Sequence, residues 1–444
     1  MAFVSLWVQV EGLYGASGIA PLNSSLGYWQ SKLGDTAFWQ KPSLLWWKFT
    51  DYDHHILLGI GVLSSLAMLT GAIPLISSFV CWIAYLSFVS VGSYFMSFQW
   101  DNLLLEMGFI TLFLHPKATP RFVIWPYRFL LFRLMFASGM VKIASGDVHW
   151  ESLKALDYHY LTQPLPNFIS WFVYHFPSWF HQLSVIFMFI VELACPFFIF
   201  FFRRFRLVAF YMFLFLQVAI MVTGNYGFFN WLTIVLCFSL VDDDHWNWYF
   251  NAKTPMDPGF SHLRGVVTCI FTVYVLAMGS MQILTKRYPR FAIPFVRVNY
   301  NFRLVNSYGL FAVMTTKRRE ILIQGSRDNV RWRNYKFKYK PNGVKDRPRF
   351  LLFHMPRLDW QMWFAALRSR PPRWFNRFCN LLSRGDKGVI GLLEENPFPG
   401  RPPRYIRAVI FDYKFSSIDE LFEEEKWWKR RYGRIYRSSV PQSD

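Results

Sequence analysis

Ionisable side chains set inside apolar strings are the places where this chain could do chemistry. FQWDNLLLEMGF, residues 98 to 109, carries Asp101 and Glu106; LFRLMFASGMVK, residues 131 to 142, carries Arg133 and Lys142; VELACP places Glu192 four residues before Pro196. A carboxylate in hydrocarbon is costly unless it is paired or hydrated, so each acid asks for a partner. The expectation is that Glu106 or Asp101 pairs with Arg133 and fixes helix packing. At about 100° per residue, the spacing of Arg133 and Lys142 puts them on opposite helix faces, so one turns into a bundle while Lys142, near the segment end, snorkels. Glu192 either accepts the carbonyl freed by Pro196 as a protonated acid or needs a donor.

A second concentration of polar and aromatic residues is LDYHYLTQPLPN, residues 156 to 167, with His175 and His181 further along. His159 has the right chemistry for an acid or base near neutral pH. There is, however, no zinc-helix spacing, nucleophile elbow or phosphate-binding glycine loop around it. The histidines therefore read as hydrogen-bonding posts of an ordered loop. Asn225 and Asn230, in TGNYGFFNWLTIVL, read as amides that satisfy open backbone groups at a helix break. The five cysteines make no CxxC pair, and four of them sit in apolar segments, which argues against a disulfide framework or a zinc site. No metal or cofactor is expected. Asn23-Ser24-Ser25 is a glycosylation acceptor that matters if its loop faces a lumen.

The elements that must position these residues follow from how charge is distributed. Residues 1 to 284 hold 14 Lys and Arg against 14 Asp and Glu, whereas 285 to 444 hold 34 against 14, so the net charge of +20 lies behind the apolar part. With 53% hydrophobic residues that are bunched rather than periodic, the front reads as an α-helical multi-pass membrane domain. Apolar segments at 56–75, 76–95, 127–144, 185–202, 207–222, 228–241 and 266–284, with a shorter one at 103–114, give six to eight membrane segments. AFVSLWVQV after Met1 reads as the tail of a further membrane helix and not as a signal peptide. Between two segments, 145–184 is an aromatic-rich, charge-poor loop expected to be interfacial or folded. Residues 242 to 258 read as a polar connector. The Arg203, Arg204 and Arg206 turn favours the cytosol, as do Lys286, Arg287 and Arg290 for the tail, although long domains cross largely regardless of charge.

In the tail the hydrophobic period changes to two. Tyr335, Phe337 and Tyr339 alternate with Lys336, Lys338 and Lys340, across a turn from Ile321 and Ile323, and residues 405–415 read as another strand. Residues 360–367 read as a short helix. The tail, 285–444, is thus a basic, β-rich C-terminal domain whose cationic face suits anionic headgroups or an acidic protein patch better than nucleic acid.

The strings FQWDNLLLEMGF, LFRLMFASGMVK, LDYHYLTQPLPN, TGNYGFFNWLTIVL, VNSYGLFAVMT (305 to 315), PRLDWQMWFAAL (356 to 367) and PPRYIRA (402 to 408), in this order over nearly the whole chain, closely resemble the lipase maturation factor family. FASGMVK and LDWQMWFAAL are most similar to its lipase maturation factor 2 branch. The resemblance implies a multi-pass endoplasmic reticulum membrane protein that helps secreted lipases fold and assemble. It implies a chaperone-like role without catalytic residues, a lumenal tail, and client contact through 145–184 and the tail. The sequence departs from the family pattern in a shorter stretch between residues 244 and 306. On this reading Tyr335, Phe337 and Tyr339 are the candidate client contacts, alongside membrane lipids as partners. The competing expectation is a membrane enzyme in which His159, Glu106 and Arg133 converge on a lipid-soluble substrate; a transporter would show inverted repeats, which are not evident.

Overall fold

The computed structural model describes residues 1–47, 52–114, 121–242, 245, 262–284 and 288–441. Most of the connector read at 242–258, together with Lys286 and Arg287, lies outside the described residues. Helices run from the N-terminus to Phe302 and strands begin at Arg318, so the chain is a helical membrane bundle followed by a β-rich C-terminal region.

Among the described residues four helices are long and apolar enough to cross a membrane: Pro74–Val91, Ser178–Phe200, Arg203–Thr223 and Gly265–Leu284. At about 1.5 Å per residue, 18 to 23 residues match a hydrocarbon core of about 30 Å. Asp53–Leu69 and Phe228–Leu240 are apolar but shorter. Helix Ile124–Ala144 has 21 residues but is interrupted by Arg128, Arg133 and Lys142. Large apolar side chains such as Leu63, Phe215, Phe202 and Ile270 stand exposed on the outer faces, as lipid requires and water would not tolerate over so wide a band.

The aromatic-rich loop is mostly helical. Ala155–Thr162 and Phe168–Tyr174 fold as short helices before the long helix starts at Ser178. Asn167 caps the second by accepting from the Ser170 N–H at 2.8 Å. Trp171 is fully buried against Tyr413, Phe415 and Trp428, so this excursion is the saddle on which the C-terminal region sits.

The C-terminal region is built on an antiparallel four-stranded sheet. With β1 as Arg318–Ser326, β2 as Arg333–Asn334, β5 as Tyr405–Phe415 and β6 as Trp428–Pro441, the strand order is β2-β1-β5-β6; β3 (Lys336–Phe337) and β4 (Leu393–Glu395) form a separate pair. The strand read at 405–415 thus has the bounds found. Helix Arg357–Ala366 packs on β1 and helix Arg373–Arg384 on β5. The latter is sharply amphipathic, with Trp374, Phe375, Phe378 and Leu382 on its buried side.

That packing corrects one expectation. Tyr335 and Phe337 are each only 1% exposed, and Tyr339 is half-buried. The Phe337 ring lies 6.0 Å from that of Phe378, and the Tyr335 ring 6.0 Å from that of Phe398. Phe378 and Phe398 thus cover Phe337 and Tyr335, which are core and not a client-contact surface, whereas the Tyr339 ring lies 5.3 Å from that of His354 and borders a cleft at the surface. Lys340, assigned to the opposite cationic face, is buried too, 3.1 Å from Glu320.

Candidate functional site

Buried charge gathers in three nodes within the bundle and one beneath the sheet. In the first, Glu106 is fully buried and paired with Arg133. Its second oxygen accepts from the Asn306 backbone N–H at 2.8 Å and the Tyr308 hydroxyl at 2.7 Å. Arg133 also donates to the Asn306 carbonyl at 2.8 Å and to Gln282 at 3.2 Å. Its side chain passes over Gly279, where a β-carbon would lie 2.8 Å from the Arg133 side chain; only glycine leaves that passage open. The pair therefore ties together helices 99–111, 124–144 and 262–284 and the VNSYGLF segment.

Asp101 takes a different partner. Arg357, from the C-terminal PRLDW string, grips it with two parallel bonds of 2.7 and 2.9 Å, and the Tyr85 hydroxyl donates to the same carboxylate at 2.6 Å. Arg357 also donates to the Phe95 carbonyl at 2.5 Å. This is the fork-to-fork geometry in which an arginine–carboxylate pair is strongest. Around it, the Gln9 carboxamide oxygen accepts from the Arg357 backbone N–H at 2.8 Å, and the Ser5 hydroxyl from that of Met355 at 2.9 Å.

Under the sheet, Arg318 is buried against Glu320 and donates to the carbonyls of Leu161, Gln163 and Pro164 at 3.0, 2.6 and 3.1 Å. His175 lies between the Trp171 carbonyl at 2.8 Å and the Ser416 carbonyl at 2.9 Å. His181 lies between Asp157 at 2.7 Å and the Val173 carbonyl at 3.0 Å. Asn225 holds the Leu351 N–H and the Arg349 carbonyl, each at 2.7 Å, so the amide at the helix break serves the C-terminal region's backbone. His175, His181 and Asn225 are thus hydrogen-bonding posts for the docked C-terminal region and for the helices beneath it.

The third bundle node differs. Lys142 donates to Glu192 at 2.5 Å and to the Ser138 carbonyl at 3.2 Å, so it turns inward rather than snorkelling, and it supplies the donor that Glu192 needs. Gly139 permits this, since a β-carbon there would meet the Leu193 side chain at 2.7 Å and Glu192 Cβ at 3.1 Å. A π-helical turn at Ile190–Ala194, just before Pro196, carries Glu192. The pair borders a cavity of about 500 Å³, whose wall also includes His159, Tyr226, Gln217 and Asn230. His159 Nε2 is 3.1 Å from the Tyr226 hydroxyl, which donates onward to Gln163 at 3.1 Å. Burial and then the Lys142 charge push His159 down to about 4, so it is neutral at physiological pH. Glu106 and Arg133 are absent from this wall, so the convergence expected of the enzyme reading does not form.

Two further clusters of ionisable groups lie outside these nodes. Glu11, His54 and His55 bring ligand-type atoms within 4.8 Å of one another. The Trp7 indole, a donor only, donates to His55 Nδ1 at 2.9 Å; Nε2 then carries the proton and donates to Glu11 at 3.3 Å, which suits a hydrogen bond and not a metal. A cleft of about 590 Å³ opens where residues 336–350 meet Phe168, with Lys336, Lys338, Lys345, Arg347 and Arg349 against Asp346 and Glu394. Arg357, Arg318, Asn306 and Tyr308 are the site residues that reading the sequence for candidates passed over. For three of them the signal is present, as a charge beside Trp and Leu in PRLDW and as polar residues in the VNSYGLF string; Arg318 lies in neither.

Fold and nodes together define a multi-pass membrane protein whose β-rich C-terminal region is held to one face of the bundle by the buried Asp101–Arg357 pair and by hydrogen bonds from Arg318 and Asn225. The family profile described as lipase maturation factor transmembrane domain matches residues 1–248, and that described as lipase maturation factor C-terminal domain matches residues 304–438. The chain is 33% identical to lipase maturation factor 2 of Xenopus tropicalis over 97% of this chain and 79% of that protein, and 32% identical to lipase maturation factor 2 of Homo sapiens over 100% and 81%. It is also 33% identical to lipase maturation factor 1 of Bos taurus over 97% and 84%. No solved structure matches. The chain belongs to the lipase maturation factor family.

Proposed function

We propose that this protein acts in the maturation of secreted lipases as a chaperone-like factor of the endoplasmic reticulum membrane, without chemistry of its own. The carrying observation is where the C-terminal region docks. Helix Arg203–Thr223 ends where the Val222 carbonyl accepts from Asn167 at 2.8 Å, beside the Asn225 contacts to Arg349 and Leu351. Its 21 residues carry the Arg203–Arg206 turn about 30 Å from that end. A basic turn in the cytosol then puts the C-terminal region in the lumen, where secreted clients fold. Asn23 belongs to that same side, since Ser25 bonds the Val91 carbonyl at 2.7 Å and the neighbouring Gly18 carbonyl accepts from Arg377 at 2.9 Å.

On this reading the client surface is the basic cleft, which Tyr339 also borders, and not the buried Tyr335 and Phe337. Its excess of cations over acids suits an acidic segment of an incompletely folded client and speeds encounter. Membrane lipids contact the exposed apolar helix faces. In sealed microsomes a C-terminal tag should be protected from external protease, and a glycan, if carried, should vanish in Asn23→Gln; digestion of the tag would overturn the orientation. Deletion of the protein should lower secreted lipase activity, and Lys336→Glu with Lys345→Glu should weaken lipase co-purification. Unchanged lipase activity after deletion would remove the proposal.

A further inference from the structure

We propose that the membrane bundle binds an uncharged, single-chain lipid, with its chain between helices Ser178–Phe200 and Arg203–Thr223 and its hydroxyl or carbonyl head turned to Lys142 and His159. The inference goes beyond lipase maturation and does not depend on it.

The cavity has the location and shape for such a ligand. Its wall is formed mainly by apolar side chains, among them Met135, Phe187, Leu216 and Ile220. It reaches the outer surface of the bundle, because Leu183 and Phe215, which also border it, are 56% and 63% exposed on helices that face lipid. The Phe187 and Phe215 rings, both on the cavity wall, meet edge to face at 5.4 Å. A ligand would therefore enter sideways from the bilayer. About 500 Å³ lies in the lower half of the range of small-molecule sites, roughly 300–1,000 Å³, which suits one chain with a small head.

The inner end supplies the polar recognition. Lys142 and Glu192 are 6% and 8% exposed, and an ionisable pair inside a membrane helix bundle calls for a reason to be retained. The pair is neutral as a unit, so the field at the cavity end favours a dipolar head over a phosphate or a carboxylate. His159 is neutral there as well, with its ring beside Phe311 at 4.9 Å and its Nε2 at the Tyr226 hydroxyl. Gln217 and Asn230, bonded to each other at 3.0 Å, add a second polar point on the same wall. Such an arrangement, apolar walls with a few convergent polar groups, is that of a ligand site rather than a packing defect.

The test uses the full chain in phosphatidylcholine vesicles with a diazirine-bearing monoacylglycerol as photoprobe. Labelled peptides should come from 178–223, unlabelled monoacylglycerol should compete, and Ala219→Trp, which fills the cavity, should cut labelling by about tenfold or more, equivalent to about 1.4 kcal/mol. Ser138→Phe fills the same space from helix Ile124–Ala144 and gives the answer if Ala219→Trp fails to fold; His159→Phe should weaken labelling while leaving the entrance intact. Labelling unaffected by a folded filling variant, or spread evenly over the outer faces of helices Asp53–Leu69 and Gly265–Leu284, would overturn the site. Palmitate competing as well as monoacylglycerol would overturn the uncharged head. No lipase takes part in the assay, so failure here leaves the maturation proposal standing.

Discussion

Asp101 with Arg357 and Lys142 with Glu192 are both buried acid–base pairs of one bundle, yet their surroundings differ. Asp101 is sealed, with each oxygen bonded to Arg357 and one also to Tyr85, and Arg357 is anchored further at the Phe95 carbonyl. Lys142 and Glu192 are buried as well, yet they border a cavity. Desolvating two charges is repaid only when the remaining donors and acceptors are satisfied. The sealed pair has the means to hold two regions together, and the open pair has the means to meet a ligand.

The largest effect should come from breaking the sealed pair on one side. Arg357→Ala leaves a buried, uncompensated carboxylate and is expected to cost about 3–5 kcal/mol. It should lower the Tm of the detergent-solubilised protein and expose the C-terminal region to limited proteolysis. Replacing both members, as Asp101→Leu with Arg357→Met, should recover most of the loss. If the single variant keeps the wild-type Tm and protease pattern, the pair does not dock the C-terminal region.

Tyr308→Phe removes one of the bonds to Glu106 and leaves the Arg133 pair in place. The expected loss is about 1–3 kcal/mol, the cost of an acceptor left short of a partner. At the open pair, Lys142→Met with Glu192→Leu should change stability least, by about 1 kcal/mol or less in either direction, because both charges leave together. The comparison sharpens if that double variant keeps its Tm and still loses the monoacylglycerol photolabel. A collapse in Tm as large as that of Arg357→Ala would make the two pairs equivalent and erase the distinction.

What could be read from the sequence divides along the same line. The sequence narrows the partner of Arg133 to Glu106 or Asp101, because opposite charges in neighbouring apolar strings have few other partners, and packing selects Glu106. The Asp101–Arg357 pair was not legible, since its members are 256 residues apart and Arg357 belongs to a tail whose cations looked solvated. Alternation at Tyr335, Phe337 and Tyr339 predicts a shared face, but not that Phe398 and Phe378 cover Tyr335 and Phe337. Nearness to a segment end allows Lys142 to snorkel, while Gly139 and the π turn at Glu192 supply a closer partner. The membrane bundle and the β-rich tail followed from composition and period; the docking between them did not, because it depends on contacts that no local pattern encodes.

A further effect concerns pH at the seam between the regions. His354, whose Nδ1 is 3.0 Å from the Ser5 hydroxyl, is pushed down to about 4 by burial and by the charges of Arg357 and Lys338. The unfolded chain therefore binds more protons than the folded one between about 6.5 and 4, and the stability His354 carries above 6.5 is lost as pH falls through that window. Asp359 opposes it. Burial pushes that carboxyl up to about 6, against the Tyr339 and Lys340 N–H groups bonded at 3.0 and 2.9 Å, so its contribution is full at low pH and fades as pH rises from about 4 through 6. His159, held near 4 in the cavity wall, acts in the same direction as His354. Tm should consequently fall as pH drops from 7 to 5. His354→Gln should flatten that fall, and Asp359→Asn, which removes the opposing group, should steepen it. Parallel Tm profiles for the wild type and both variants would place the pH response elsewhere than at the seam.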